Sequence, residues 1–561
     1  MSEKEEDFAW AFNMDKPLNE LSEKIEDKKE NLKEIKEKNE NECDESKTKE
    51  EINKNEKNES ENIDVGTRLA EYILKYCALV RDYDKLTYLG VPTERGVAVH
   101  LLDSNECRAF LINAAVKVFK RIPSKSAIDS VISYFYALAI DYPETNLKER
   151  IRFDDRNGDI LIDLKDGESS CVRISDKGYS MDVINTVLFK PNPEALALPY
   201  PHPKKTDNSL IKELLGKFDF GNEDTTKKTQ MLLEVWMHAG FVPDLAMPLL
   251  SFFGTEGSGK TMCAIWMHEI VDPNEGKTFS LHRADDLLYT CNHSRIVVLD
   301  NLREIKKSLS DELCRIILGD TKFKRQLYSN NSICKFKLKN ALMTTSINNI
   351  VVTPDLLDRS ILIKCNRLEN KFISEEELDE YFNDIHPYLF DEILTNLSKA
   401  LEIKPKIELV KSPRMKSFGI WGEAIAQAIG YPENYFIETY MEKVENQKRE
   451  SVEENLLGSI LIEFMENKED WIGTISDLLD CIQSIAKNED ERKQLPKTAG
   501  HLSSSMDEIK VVLKCAGINY SPDEKKTNNR KYIKLSKLNE DLLSAEKCFL
   551  DNGGGVLFDS I

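Results

Sequence analysis

The stretch MPLLSFFGTEGSGKTMCAIWMHEIV, residues 247–271, decides the fold of the largest part of the chain. It begins with an apolar run typical of a buried strand and ends with the apolar spacing of a helix. Between them, GTEGSGKT at residues 254–261 matches the pattern G-x-x-x-x-G-K-[ST]. The glycines let the backbone curl, so that its N–H groups and the helix N-terminus face a phosphate. A strand, a phosphate loop and a helix in this order predict a P-loop domain, and the alternating strands and helices that follow predict a parallel α/β sheet.

The loop predicts binding of ATP and Mg²⁺. Lys260 is expected to reach the β- and γ-phosphates, and the Thr261 hydroxyl to bind the Mg²⁺ ion. A chance loop is disfavoured, because a predicted strand and a predicted helix flank it. The predicted nucleotide-binding residues are Gly254, Thr255, Glu256, Gly257, Ser258, Gly259, Lys260 and Thr261.

A second apolar strand ends in Asp300, within SRIVVLDNLREI at residues 294–305. A carboxylate at this place after a P-loop holds Mg²⁺, although a helix-capping aspartate would give the same pattern. Many ATP-hydrolysing proteins carry a second carboxylate beside the first, whereas the next residue here is Asn301. A carboxylate that positions the attacking water could come from elsewhere, and Glu304 is the favoured candidate. The candidates are Glu304, Asp311 and Glu256.

Two more candidate residues follow in the next predicted strands. KNALMTTSINNI is an apolar strand that ends in hydroxyls, so Thr345 is expected to touch the γ-phosphate or the attacking water. In TPDLLDRSILI, Arg359 could reach across a ring interface and stabilise the transition state of a neighbouring subunit. The alternative is that Arg359 pairs with Asp355 or Asp358 at the surface of its own chain.

TKFKRQLYSNNSICKFKLK, residues 321–339, predicts a basic β-hairpin between these two strands. Such a hairpin suits a loop that grips a nucleic acid backbone inside the channel of a ring. A solvated edge hairpin is the alternative, since the tip at residues 329–332 holds no lysine. The predicted nucleic-acid contacts here are Lys322, Lys324, Arg325, Lys335 and Lys337.

The pattern also divides the chain into domains. Residues 1–62 are charged and poor in apolar residues, which predicts a disordered tail. Residues 63–205 combine helical periodicity with a β-meander, which predicts an α+β accessory module. The other predicted parts are a P-loop core at 206–400, a helical lid or connector at 401–448, a winged-helix domain at 449–537 and a flexible tail at 538–561.

The winged-helix prediction rests on the order of helix, short strand, two helices and two strands around a basic loop. The loop DEKKTNNRK, residues 523–531, would be the wing that meets phosphates. A protein-docking module is the alternative, because acidic residues in the same region dilute the positive charge. The predicted nucleic-acid contacts are Lys525, Lys526, Arg530 and Lys531.

Composition limits the class of protein. The net charge of -21 argues against a generic nucleic-acid-coating protein, while a local basic surface stays possible. Twelve cysteines without a C-x-x-C pair predict neither a zinc framework nor a secreted disulfide pattern. No apolar run is long enough to span a membrane, and the charged N-terminus lacks the apolar core of a signal peptide. We therefore expect a cytoplasmic protein without membrane contact.

The P-loop, the aspartate strand, the basic hairpin, the polar strand and the trailing arginine, in this order, resemble AAA+ ATPases of the superfamily 3 helicase type. The resemblance is closer to a group of mobile-element ATPases often labelled primase-helicases or ATP-binding proteins. It is carried by GTEGSGKT, DNLREIKKSLSDELCRIILGDTKFKRQLYSNNS and TSINNIVVTPDLLDRS, and it covers most of the chain. It implies an α/β fold: a P-loop AAA+ core with an N-terminal α+β module and a C-terminal winged helix.

The resemblance also implies residue roles. It gives Thr261 and Asp300 to the metal, Thr345 to sensing of the phosphate and Arg359 to a trans-acting finger. The chain departs from the group at Thr345, where asparagine is usual, and at the hairpin tip, where acidic residues are usual. The pair Asp300–Asn301 is shared with the group, so Asn301 is not a change private to this chain.

The function implied is an ATP-hydrolysing, ring-forming DNA helicase or translocase of a mobile or integrated genetic element. Its expected partners are single-stranded or forked DNA and other copies of itself in a homo-oligomeric ring, for example a hexamer. The alternative is a nucleotide-dependent regulatory or scaffold ATPase without unwinding activity. A primase role for residues 63–205 is disfavoured, because their one Asp-x-Asp, Asp82 to Asp84, lacks an evident third carboxylate.

Overall fold

The computed structural model describes residues 65–538 except 94–95, 168, 185, 204–207, 282–283, 326–332, 369–374 and 528–529. The predicted tail at residues 1–62, nearly all of the predicted tail at 538–561 and the tip of the basic hairpin lie outside the described residues. The chain forms two compact units. The first ends at Pro193 and omits Arg152–Leu161 and Arg173–Ser180, which belong with the residues from Glu194 onward in the second.

The first unit contains a four-stranded sheet with the order β3–β2–β1–β4, in which only β4 runs parallel to its neighbour. Leu89 packs with helix residues such as Leu111 and Phe135 on one face, while Tyr88 packs with Leu147 on the other. This is the alternation expected along a strand. The elements are α1 (Val65–Tyr76), β1 (Ala78–Asp82), β2 (Thr87–Thr93), β3 (Gly96–Leu101), α2 (Asn105–Phe119), α3 (Lys125–Ala139) and β4 (Glu144–Thr145).

The predicted β-meander corresponds to a second sheet whose four strands follow chain order, β5–β6–β7–β8. These strands are β5 (Ile151–Phe153), β6 (Ile160–Asp163), β7 (Ser170–Ser175) and β8 (Gly178–Val183).

The centre of the second unit is a four-stranded sheet, all parallel, with the order β10–β13–β9–β14. The predicted parallel α/β sheet is therefore confirmed. All residues of β10 and β13 are buried, as expected for parallel strands covered on both faces. The strands are β9 (Leu249–Phe253), β10 (Ile296–Leu299), β13 (Ala341–Ser346) and β14 (Ser360–Lys364).

Helices cover this sheet. One of them begins at an Asn222 cap, which accepts a hydrogen bond from Thr225 N. Its buried Trp236 donates from the indole N–H to Pro248 O at 2.9 Å, which fastens the helix to the approach of β9. The helices of this region are α4 (Leu210–Leu215), α5 (Glu223–Gly240), α6 (Lys260–Val271), α7 (Ala284–His293), α8 (Lys307–Leu318), α9 (Pro354–Leu357) and α10 (Glu375–Ile403).

The basic hairpin is present as an antiparallel pair, β11 (Asp320–Arg325) and β12 (Ile333–Leu338). It lies in the chain between α8 and β13, as the sequence predicts.

Two helices follow the core, α11 (Lys416–Ala428) and α12 (Tyr435–Glu454). The buried carboxylate of Glu423 accepts hydrogen bonds from Asn434 N at 2.6 Å and Ile437 N at 3.1 Å. Glu423 thus binds free N–H groups at the start of α12. The two helices approach closely at Gly422, where an added Cβ would lie 2.3 Å from the ring of Phe436.

The C-terminal segment contains a three-stranded antiparallel sheet with the order β15–β17–β16. Thr474 and Asp477 form a capping box at the start of one of its helices. The elements are α13 (Leu456–Met465), β15 (Asp470–Gly473), α14 (Ile475–Ile485), α15 (Glu489–Gln494), α16 (Ala499–Cys515), β16 (Ile518–Thr527) and β17 (Arg530–Lys537). Within the described residues, no helix has the length and apolar character needed to cross a membrane.

We expect Gly422→Ala to lower the free energy of unfolding by about 1–3 kcal/mol, because the methyl group would overlap Phe436. The control is Gly500→Ala in α16, where an added Cβ meets nothing within 4 Å. That variant should be within about 0.5 kcal/mol of the wild type or slightly more stable. Denaturant unfolding followed by circular dichroism measures both. A wild-type midpoint for Gly422→Ala would contradict the close packing of α11 on α12.

Candidate nucleotide-binding site

The phosphate loop, residues 254–259, connects β9 to α6. Gly257 and Gly259 have φ angles of 76° and 73°, the left-handed region that favours glycine. A Cβ at Gly259 would also lie 3.0 Å from a ring carbon of Phe218. Glycine is therefore favoured at Gly259 by the backbone conformation and by the tight packing against Phe218.

The start of α6 is open to a ligand. Gly259 is the N-cap and provides no side-chain hydrogen bond, so the first N–H groups of the helix have no side-chain cap. The Lys260 ammonium lies over the loop, with Nζ 3.4 Å from Thr255 O. Thr255 and Glu256 are exposed, whereas Ser258 is fully buried and turns away from solvent.

Asp300 joins the loop to the strands beside it. Its Oδ1 accepts hydrogen bonds from Thr261 Oγ1 at 3.0 Å and from Thr345 Oγ1 at 2.5 Å. In the sheet, β13 lies between β9 and β10, which brings Thr345 between the phosphate loop and Asp300. Three residues that the sequence nominated separately thus meet at one carboxylate oxygen.

The oxygens of Thr261 and Asp300 fit a magnesium ion. Both are hard oxygen donors, and Mg²⁺ is usually bound by one or two protein oxygens together with water and substrate phosphates. The described residues contain no group of three or more His, Cys, Asp or Glu that could hold a metal. Thr261 and Asp300 stay the predicted Mg²⁺ ligands.

Asn301, at the position of the missing second carboxylate, has a φ of 53° and an exposed side chain. Asparagine adopts this left-handed conformation more readily than most residues. The backbone here is held by Thr345, whose Oγ1 accepts from Asn301 N at 2.8 Å and whose carbonyl accepts from Leu302 N at 2.9 Å. The backbone here therefore favours asparagine, aspartate or glycine, a constraint that the sequence did not reveal.

The favoured water-positioning residue, Glu304, lies in solvent. Its side chain is 67% exposed and lies 3.4 Å from the ammonium of Lys306. Among the described residues, Glu304 makes no hydrogen bond to Asp300 or Thr345. The other two candidates, Asp311 and Glu256, are also exposed. The role of Glu304 stays a prediction.

Arg359 is buried against its own chain. Its guanidinium donates to Asp355 O at 2.7 Å, pairs with the Asp355 carboxylate and lies 3.9 Å from Cys314 Sγ. The hydrogen bond from Arg359 lowers the pKa of Asp355. Arg414 contacts the same carboxylate at 3.1 Å. The pairing with Asp355 considered from the sequence is thus present, and the trans-acting role stays a prediction.

Sequence reasoning missed Gln447, a 1% exposed residue of α12 that holds the turn carrying Arg359. Its Nε2 donates to Leu357 O at 2.9 Å and Ser360 O at 2.8 Å, and its Oε1 accepts from Leu362 N at 3.2 Å. The next residue, Lys448, pairs with Asp358. The sequence gives one indication of this role. Gln447 is a polar residue on the same face of α12 as the buried apolar residues Val444 and Val452.

Of the candidate nucleic-acid contacts, the structure describes the side chains of Lys322, Lys337 and Lys531. Lys322 is 27% exposed and pairs with Glu312 of α8, so its charge is already neutralised. Lys337 and Lys531 are exposed. The side chains of Lys324, Arg325, Lys335, Lys525, Lys526 and Arg530 lie outside the described residues.

Two family models match the chain. Residues 211–423 match the model described as "Actinomycete integrative conjugative element replication protein". Residues 457–546 match the "AICE RepA C-terminal domain". These segments match a mobile-element replication family. The first contains the phosphate loop, Asp300, Thr345 and Arg359, and the second contains the three-stranded sheet. The predicted resemblance to mobile-element proteins is confirmed at this level.

Solved structures give a weaker comparison. The structure titled "The A form apo structure of NrS-1 C terminal region-CTR" is 14% identical, with 84% of this chain and 98% of that chain covered and a TM-score of 0.38. "SCCmec type IV Cch - active helicase" is 12% identical, with 85% and 95% covered and a TM-score of 0.37. These values carry no inference about activity. No curated protein matches the chain.

The backbone at Asn301 leads to a stability prediction. Asn301→Gly should change the free energy of unfolding by less than about 0.5 kcal/mol, whereas the β-branched Asn301→Val should lower it by about 1–3 kcal/mol. Glu304→Val, an exposed neighbour, is the control and should have little effect. Denaturant unfolding of the three variants is the measurement. Equal losses for Gly and Val at Asn301 would argue for a role of the side chain instead.

Proposed function

We propose that the chain is an ATP-hydrolysing, ring-forming DNA helicase or translocase of a mobile or integrated genetic element. The observation that carries this proposal is that Thr261 and Thr345 both donate to one oxygen of Asp300. This oxygen lies beside the phosphate loop and the uncapped start of α6. The two family matches to replication proteins support the mobile-element part. Hydrolysis, unwinding and the ring are our own inference.

In the proposed mechanism, the N–H groups of the loop and the ammonium of Lys260 hold the phosphates of ATP. Thr261 and Asp300 would hold Mg²⁺, which when bound offsets negative charge on the phosphates. The Thr345 hydroxyl has one proton, now donated to Asp300. To donate to a phosphate or to a water, Thr345 must give up that bond. Which group receives the Thr345 proton therefore depends on whether the hydrogen bond to Asp300 is intact.

We also propose the domain roles and the DNA contacts. Residues 206–400 would be the AAA+ core, 401–448 the helical lid or connector and 449–537 a winged helix. The three-stranded antiparallel sheet and its helices support the last of these. The β11–β12 hairpin and the loop between β16 and β17 would contact the DNA backbone through their lysines and arginines. Residues 63–205 would be an accessory module.

A nucleotide-dependent switch or scaffold is the second candidate. It is favoured by the surroundings of Asp300, where Asn301 is exposed and Glu304 points into solvent beside Lys306. Among the described residues, no second carboxylate hydrogen-bonds to Thr345. Such a protein would bind ATP through the same loop and change its assembly without turnover that depends on DNA.

Steady-state ATP turnover with and without forked DNA tests the first candidate against the second. We expect DNA to stimulate the wild type, and Lys260→Ala to lose about 100-fold or more, because the loop loses a charge that stabilises the transition state. Lys399→Ala, an exposed residue of α10, is the matched control and should retain activity. ATP binding that depends on Lys260, without any stimulation by DNA, would favour the switch. Full activity of Lys260→Ala would refute the nucleotide site itself.

The trans-acting role of Arg359 can be tested by mixing two inactive variants. Lys260→Ala lacks a working loop but keeps the arginine, and Arg359→Ala has the opposite defect. In a ring, some interfaces of the mixture pair an intact loop with an intact arginine, so roughly a quarter of the activity should return. A mixture that stays as inactive as its components would contradict catalysis in trans. Arg414→Ala, which also removes a contact to Asp355, is the control for lost pairing.

A further inference from the structure

A pocket of about 470 Å³ opens beside the phosphate loop, on the side of β14. Its wall includes the loop residues Gly254 and Thr255 and the residues that directly follow β13 and β14 in the chain. Two of the lining residues are cationic, Lys364 and Arg367, and three are asparagines. None of these five residues is among the predicted nucleotide-binding or catalytic residues.

Arg367 lies against the phosphate loop itself. If Gly257 carried a Cβ, that atom would lie 3.9 Å from Nε and 4.0 Å from Cγ of Arg367. Two backbone hydrogen bonds fix this segment to the loop and to β9. Leu368 N donates to Gly257 O at 3.1 Å, and Cys365 N donates to Phe253 O at 2.8 Å. The arginine is therefore held beside the loop by backbone contacts on both sides of it.

Charges of both signs lie near Arg367: Lys260 is close to this segment, and Asp219 accepts a hydrogen bond from the neighbouring Asn366 at 3.2 Å. Among the residues that the structure describes, no carboxylate pairs with Arg367 or with Lys364. Burial raises the pKa of Cys365 to about 12; the nearby Lys260 charge opposes that increase, and the Asp219 charge adds to it. The start of α6 adds its uncapped N–H groups. An exposed guanidinium beside such a loop suits a phosphate, which it can bind through two parallel N–H groups.

We propose that Arg367 is a second phosphate-binding cation of this site, contacting the phosphate chain of the nucleotide bound to its own subunit. The inference rests on the proposed function, since it needs a nucleotide in the loop. It differs from the role of Arg359, which would serve a neighbouring subunit. Lys364 lines the same pocket, but none of its atoms would lie within 4 Å of a Cβ at Gly257. It is therefore the matched control.

Equilibrium binding of ATP to the full chain tests the proposal. We expect Arg367→Ala to weaken ATP binding about 10- to 100-fold, the usual effect of losing a charge-assisted hydrogen bond. Arg367→Lys should fall between this variant and the wild type, because it keeps the charge and loses the planar fork. Lys364→Ala should stay within about twofold of the wild type. Added salt should weaken ATP binding less in Arg367→Ala than in the wild type.

Two further measurements separate the possible failures. The unfolding midpoint without nucleotide should be the same for Arg367→Ala and the wild type, because the side chain is exposed; a lowered midpoint would assign it a structural role instead. If Arg367→Ala binds ATP as tightly as the wild type, or if it loses no more ATP affinity than Lys364→Ala does, the inference is overturned. If Lys260→Ala also binds ATP like the wild type, the nucleotide site itself fails. A loss in Lys260→Ala without a loss in Arg367→Ala overturns only the role of Arg367.

Discussion

The candidate site depends on one carboxylate oxygen, Oδ1 of Asp300, which accepts hydrogen bonds from two hydroxyls. This contact exists only because β13 lies between the strand of the phosphate loop and the strand of Asp300. The backbone N–H of Asp300 is itself held by Phe279 O at 3.1 Å. Side chains of a strand alternate between faces, so a shift of one residue in β13 would turn Thr345 away from Asp300. Strand order and register therefore decide whether the site forms.

The same contact holds the backbone at the asparagine that follows Asp300. Thr345 binds the backbone on both sides of Asn301, through its hydroxyl to Asn301 N and through its carbonyl to Leu302 N. The chain turns sharply there, and the left-handed φ is a consequence of that turn. A second carboxylate at this position would have to adopt the same conformation, which aspartate tolerates and glutamate does less well. The backbone at Asn301 therefore favours asparagine, aspartate or glycine over glutamate.

The sequence predicted the parts of the site whose signal is local. The phosphate loop, Asp300 and Thr345 each end an apolar run, so strand periodicity was enough to nominate them and to predict the parallel sheet. The hairpin before Thr345 was predictable from its alternation and its turn residues. Three contacts were not predictable in this way. Gln447 bonds to Ser360 across 87 positions, Arg367 lies beside Gly257, and Arg359 packs on Cys314. Such pairs are set by tertiary packing, which leaves no periodic trace in the sequence.

A trans-acting role of Arg359 would require its side chain to leave contacts within its own chain. Its partner Asp355 is 56% exposed, but the Arg359 side chain is only 7% exposed and also donates to Asp355 O at 2.7 Å, so its release breaks more than a surface ion pair. Arg414 contacts the same oxygen of Asp355, so that carboxylate keeps a cation when Arg359 leaves. The turn itself stays fixed from the inside by the three hydrogen bonds of Gln447. In the proposed trans-acting role, the side chain would give up these contacts while the hydrogen bonds of Gln447 still hold the backbone of the turn.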